Sequence, residues 1–208
     1  MDNDQISPAE ARVLSALAEK HALTPDAYPL TLNALIAACN QLTSREPVMQ
    51  LSEAEVLAAL DALLARKWIA TRTPVGSRVS KYEHRLGYVW NLDGARLAVM
   101  TILMLRGAQT AAEIRARSGR IHAFADVEAV EAALLALADK YPPMVQKLER
   151  QPGAREARWM HLLCGDTPPA PSELGAAGTP ALAERVQQLE ARVEELQTRL
   201  ALLESLLE

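Results

Sequence analysis

Apolar positions along this chain fall into short helical stripes separated by turn signals. In "SPAEARVLSALAEK", Val13, Leu14 and Leu17 form one stripe. Ser7 and Glu10 make a capping box ahead of it, with Pro8 at the first helical position, where a missing N–H costs nothing. Leu32, Leu35, Ile36 and Cys39 follow at i, i+3, i+4 and i+7, one face of a second helix. "SEAEVLAALDALLARK" repeats the start signal with Ser52 and Glu55. Its expected buried face is Val56, Leu57, Leu60, Leu63 and Leu64. "WIATRTPVGSRVSKYEHRL" then switches to two β-like runs around a turn on Pro74 and Gly76. Three helices and a hairpin are the layout of a winged helix, a helix-turn-helix variant whose hairpin is the wing.

The same order returns. "GARLAVMTILMLRG", "TAAEIRARSG" with its Thr110–Glu113 capping box, and "DVEAVEAALLALADK" capped by Asp126 predict three more helices before a second hairpin. "GSRVSKYEHRL" from Gly76 and "GAREARWMHLL" from Gly153 match at six of eleven positions with a constant offset of 77. The first helix of the second unit carries Leu97, Val99, Met100, Ile102, Leu103, Met104 and Leu105 and has little polar face. Such a helix must be covered on more than one side, between the units or at a subunit contact.

From Gly165 to Pro180 the composition turns to Pro, Gly, Ser and Ala, which reads as a flexible linker. Beyond it, Leu182, Val186, Leu189, Val193, Leu196, Leu200, Leu203 and Leu207 alternate spacings of 4 and 3. Val at a, Leu at d and Arg185–Glu190 and Arg199–Glu204 pairs between g and e favour a parallel two-stranded coil. The alternative is one amphipathic helix docked on its own body. The expected organisation is therefore a mainly α chain with small β-hairpins. It comprises a winged-helix domain at 1–90, a second at 91–164, a linker at 165–180 and a coiled-coil helix at 181–208 that makes a homodimer.

Composition narrows the function. Ala and Leu dominate an apolar half of the chain, which suits helices. Cys39 and Cys164 have no partner at disulfide or metal spacing, so no cofactor is expected. With no signal-like segment and no span long enough to cross a bilayer, the expectation is a cytoplasmic protein without membrane attachment. His21, His84, His122 and His161 stand in no catalytic motif, and no Gly-rich phosphate loop or nucleophile elbow occurs, so no enzyme is expected. His84 and His161 recur in both units. Strand parity puts each with an aromatic and a Leu (Tyr82 and Leu86, Trp159 and Leu163), which is the inner face of a wing.

Charge supplies the functional lead. The net charge is −4, but the acid excess lies in the tail, where residues 168–208 carry 3 basic and 7 acidic side chains. Around the first hairpin lie Arg66, Lys67, Arg72, Arg78, Lys81 and Arg85 against Glu83 alone; the second has Lys147, Arg150, Arg155 and Arg158 against Glu149 and Glu156. Basic side chains on a wing suit phosphates of double-stranded DNA. The alternative is a hairpin charged to resist edge pairing. Arg45, in the polar connection "CNQLTSREPVM", adds a further DNA candidate unless that loop satisfies its own polar groups. The third helices argue against base reading, because they carry Glu53, Glu55 and Asp61 in one unit and Asp126, Glu128, Glu131 and Asp139 in the other.

"YPLTLNALIAACNQLTSREPVMQLSEAEV", "SRVSKYEHR", "LMLRGAQTAAEIRARSGR" and "ARWMHL" resemble the YceH family of bacterial proteins over roughly residues 6–164, plus the tail. The resemblance implies two tandem winged helices and carries no catalytic residues. Two functions stay open: a dimeric DNA-binding regulator acting through the first wing, and a protein-interaction module resembling the condensin-partner scaffolds in architecture.

Overall fold

The computed structural model describes residues 5–73, 76 and 79–165. The linker beyond Gly165, the heptad leucines and Arg78 lie outside the described residues. The described part is about half helical, with two small antiparallel sheets.

In the first half, α1 (Pro8–Leu23) is followed by a 3-10 turn at Pro25–Ala27, β1 (Leu30–Thr31), α2 (Leu32–Cys39), α3 (Glu53–Ala65), β2 (Ile69–Arg72) and β3 (Lys81–His84). The caps read from sequence close as expected. Ser7 Oγ accepts from Glu10 N–H while Glu10 accepts from Ser7 N–H, and Ser52 with Glu55 does the same for α3. A short α4 (Leu86–Val89) leads into the second half. There α5 (Gly94–Arg106), α6 (Ala111–Ser118), α7 (Val127–Ala138), β4 (Val145–Lys147) and β5 (Trp159–His161) follow in the same order.

The repeat extends to strand pairing. The first sheet has the order β1-β3-β2, with Leu30 opposite Tyr82 and Ile69 opposite His84. In the second, β4 pairs with β5, and Gln109 bridges Trp159 on the other edge of β5, where β1 stands in the first half. Gly76 and Gly153 both hold φ at +82°, a left-handed turn that a side chain disfavours.

The two halves share one core. Helix α5 is buried from Ala98 through Leu105, as its all-round apolar pattern requires, and it packs on α1, α6, α7 and β5. Helix α1 is also buried, from Glu10 through Glu19, although its sequence shows only a narrow stripe. Leu14, Leu17, Leu60, Leu103 and Leu134 are all within 1% of full burial. Each such side chain stabilises the fold by about 1.5–3 kcal/mol relative to exposure. One expected core position moves outward. Leu57 is 36% exposed, because the stripe that meets α1 runs Val56, Ala59, Leu60 and Leu63, and Leu57 stands about 100° away from Val56.

Candidate nucleic-acid interface

The first hairpin starts from the end of α3. Trp68 N–H bonds Leu63 O and Lys67 N–H bonds Leu64 O, a helix-ending motif that puts Lys67 at φ +60°. The lysine side chain is exposed there. Strand pairing sets Arg72 opposite Lys81. Arg72 Nε also reaches Glu83 Oε2 at 2.6 Å, with its side chain 68% exposed. That ion pair holds the guanidinium above its ordinary pKa, through the hydrogen bond first and the charge second. Just past the hairpin, Arg85 lies 5.7 Å over the exposed ring of Tyr88, a cation–aromatic pair the sequence did not single out.

Several expected contacts are committed elsewhere. Arg45 is withdrawn from the expected DNA surface. It is buried and makes two hydrogen bonds to Glu19, at 3.0 and 2.6 Å, while also bonding Ala38 O, Ser44 O and Gln41 Oε1. Arg158 bonds Glu113 at 2.8 and 2.9 Å and Ala108 O at 2.7 Å, tying the second hairpin to the cap of α6. Arg66 donates to Gln5 O at 2.9 Å and lies 5.3 Å over Trp68. Lys67, Lys81 and Arg155 make no side-chain hydrogen bond or ion pair among the described residues.

The connection between α2 and α3 satisfies its own polar groups. Asn40 exchanges two hydrogen bonds with the Leu51 backbone, each 2.8 Å. Arg12, inside α1, donates to Cys39 O at 3.1 Å and Pro47 O at 2.6 Å. Burial lowers the pKa of this guanidinium, and the charge of Arg45 adds to that. Glu19 is pushed up by burial, but its hydrogen bonds and attraction to Arg45 outweigh that and leave it below the usual carboxylate value. Removing one partner of such a buried pair costs about 3–5 kcal/mol. Neither Arg12 nor Glu19 stood out in the sequence, because a charged residue on a helix reads as a surface residue.

The repeated histidines face inward. Leu86 N–H donates to His84 Nδ1 at 3.3 Å, so the ring proton sits on Nε2 and is donated to His21 Nδ1 at 2.9 Å. Tyr28 stacks on His21, and its hydroxyl accepts the His84 N–H at 2.6 Å. Burial first, and then the nearby His21, lowers the His84 pKa to about 4; burial does the same for His161. Their cross-strand partners, Ile69 and Val145, are both core residues.

The outward faces of α3 and α7 are poor in positive charge. Glu53, Glu55, Leu57, Ala58 and Asp61 are exposed on α3, and Glu128, Glu131, Ala132, Leu135 and Ala136 on α7. Phosphates would be repelled there, so neither of these faces is cationic.

These features define a duplicated helix-and-hairpin protein with a basic first hairpin. The chain matches the family described as "Protein of unknown function, DUF480" over residues 6–154, and it belongs to that family. It is 63% identical over 204 residues to a UPF0502 protein of Chromobacterium violaceum, covering 98% of this chain and 93% of that one. A UPF0502 protein of Janthinobacterium sp. (strain Marseille) is 53% identical over 199 residues, with 94% and 86% covered. One from Herminiimonas arsenicoxydans is 54% identical over 197 residues, with 92% and 83% covered. Among the described residues no helix is long and apolar enough to cross a membrane.

Proposed function

We propose that each half is a winged helix and that the protein binds double-stranded DNA through the first wing, by backbone contacts and without catalysis. The observation that carries this reading is the basic edge formed by exposed Arg72, paired to Glu83, and half-buried Lys81 on paired strands, flanked by exposed Lys67 and Arg85. Arg78, at the same hairpin, extends that edge in sequence. The acidic and Ala-rich outer faces of α3 and α7 keep the third helices out of the major groove, so sequence preference is weak. The heptads at 182–207 supply a two-chain assembly, and two wings double the phosphate contacts.

A second reading is favoured by the same outer faces. Exposed Leu57 and Leu135 among Ala and Glu suit a protein partner better than phosphate. One titration separates the two. Labelled duplex is titrated with the intact chain, with a chain lacking residues 181–208, and with the Arg72→Ala/Arg78→Ala/Lys81→Ala variant, across a salt series. The DNA reading expects binding at low salt that the truncation weakens. In the variant the log–log salt slope becomes shallower by up to about 2.7 for each bound wing, or about 5.4 for two, at about 0.9 per phosphate contact. Absence of binding at low salt overturns it and leaves the protein-docking reading.

A further inference from the structure

A cleft of about 290 Å³ lies where the two halves meet. Each half contributes the C-terminal part of its first helix and the connection after its second. Glu19 comes from α1 and Ser44 from the α2–α3 connection, while Arg106 comes from α5, Arg117 from α6 and Arg120 from the turn after it. Ile102 belongs to its apolar part.

Charge in this cleft is unbalanced. Glu19 is neutralised by its paired hydrogen bonds to Arg45 and by Lys20 at 3.4 Å. Arg106, Arg117 and Arg120 make no ion pair or side-chain hydrogen bond among the described residues. Basic residues at the ends of α5 and α6 complement the helix dipoles, which accounts for Arg106 and Arg117 one at a time. It does not account for their sharing one concavity. Arg106 is partly buried, and its pKa is lowered by that burial, then by the like charges of Arg117 and Arg45, with Glu19 and Glu46 offsetting only part. Like charges gathered in a half-enclosed space repel one another until an anion enters.

We infer that this cleft binds a small phosphate-bearing anion, a diphosphate or a phosphate monoester. Guanidinium forks match phosphate oxygens in paired hydrogen bonds. The volume is about ten times a water's share of the liquid, more than an orthophosphate fills. The ligand would bridge connections from both halves, which makes the cleft an effector position. The inference stands without the DNA reading.

Calorimetric titration of the full chain with inorganic phosphate, pyrophosphate, AMP and citrate, at constant ionic strength and without DNA, tests it. Pyrophosphate or AMP is expected to bind more tightly than orthophosphate or citrate. Arg117→Gln/Arg120→Gln is expected to weaken binding about tenfold or more, since each lost charge-assisted pair approaches a tenfold change. Both side chains are exposed, so the variant keeps the parent's thermal midpoint. Arg155→Gln and the wing variant bind as the parent does. Arg117→Lys keeps the charge, loses the fork, and falls between. No binding by either phosphate compound, tighter binding of citrate, or equal binding by the double Gln variant overturns the proposal.

Discussion

At the scale of single residues, the same side-chain type takes opposite roles according to what it meets. Arg45 and Arg72 are both arginines beside a glutamate. One pair is buried and holds the α2–α3 connection to α1; the other lies on the first hairpin with its arginine exposed. Sequence spacing does not separate them, because Glu19 and Arg45 are 26 positions apart and meet only in the fold. Strand parity, in contrast, was enough to turn His84 and His161 inward. Their protonation has a thermodynamic consequence. Each folded-state pKa lies near 4, below the ordinary 6.5, so the unfolded chain binds more protons between those values. Stability contributed by the neutral rings is therefore full above about pH 6.5. It is lost as pH falls toward 4, by up to about 3 kcal/mol per histidine. Urea unfolding across pH 7.5 to 4 should show that loss, and His161→Gln should remove about half of the histidine-dependent slope. An unchanged slope in the variant would refute the assignment.

At the scale of elements, local signals decided most of the outcome. Four helices begin at the caps read from sequence, because Ser, Thr and Asp side chains satisfy backbone N–H groups that have no partner in the helix. The matched glycines mark the same left-handed turn twice. A Cβ at Gly153 would touch nothing within 4 Å, so Gly153→Ala is strained by backbone conformation alone. It should cost about 1–2 kcal/mol, measured as a lower urea midpoint with unchanged denaturant slope. A neutral substitution would mean that the turn adjusts. What local pattern misplaced was Leu57, since five Val and Leu residues on a thirteen-residue helix exceed the single face that α1 covers.

At the scale of the whole molecule, the repeat is legible but the way its copies combine is not. Helices α1 and α5 are the first helices of the two halves, and they pack on each other inside one core. Burying Glu10, Arg12, Ser15 and Glu19 on α1 depends on neighbours from elsewhere in the chain. A fragment of residues 1–90 should therefore expose one side of α1. Losing several core contacts of about 1.5–3 kcal/mol each exceeds a typical stability margin of about 5–15 kcal/mol. Circular dichroism should show a single melting transition for the intact chain and no cooperative transition for the fragment. A fragment melting cooperatively at the parent's midpoint would show that the halves are independent.

The sequence by itself determined the helix starts, the duplicated hairpin turns, the inward histidines and the family, all of which depend on nearest neighbours or on matched order along the chain. Tertiary structure alone decided which cations are free. Arg45, Arg66 and Arg158 found partners from distant segments, while Arg106, Arg117 and Arg120 were drawn into one cleft without any among the described residues. A charge's partner is set by distance in space, and that distance exists only once α1 and α5 have brought the two halves together.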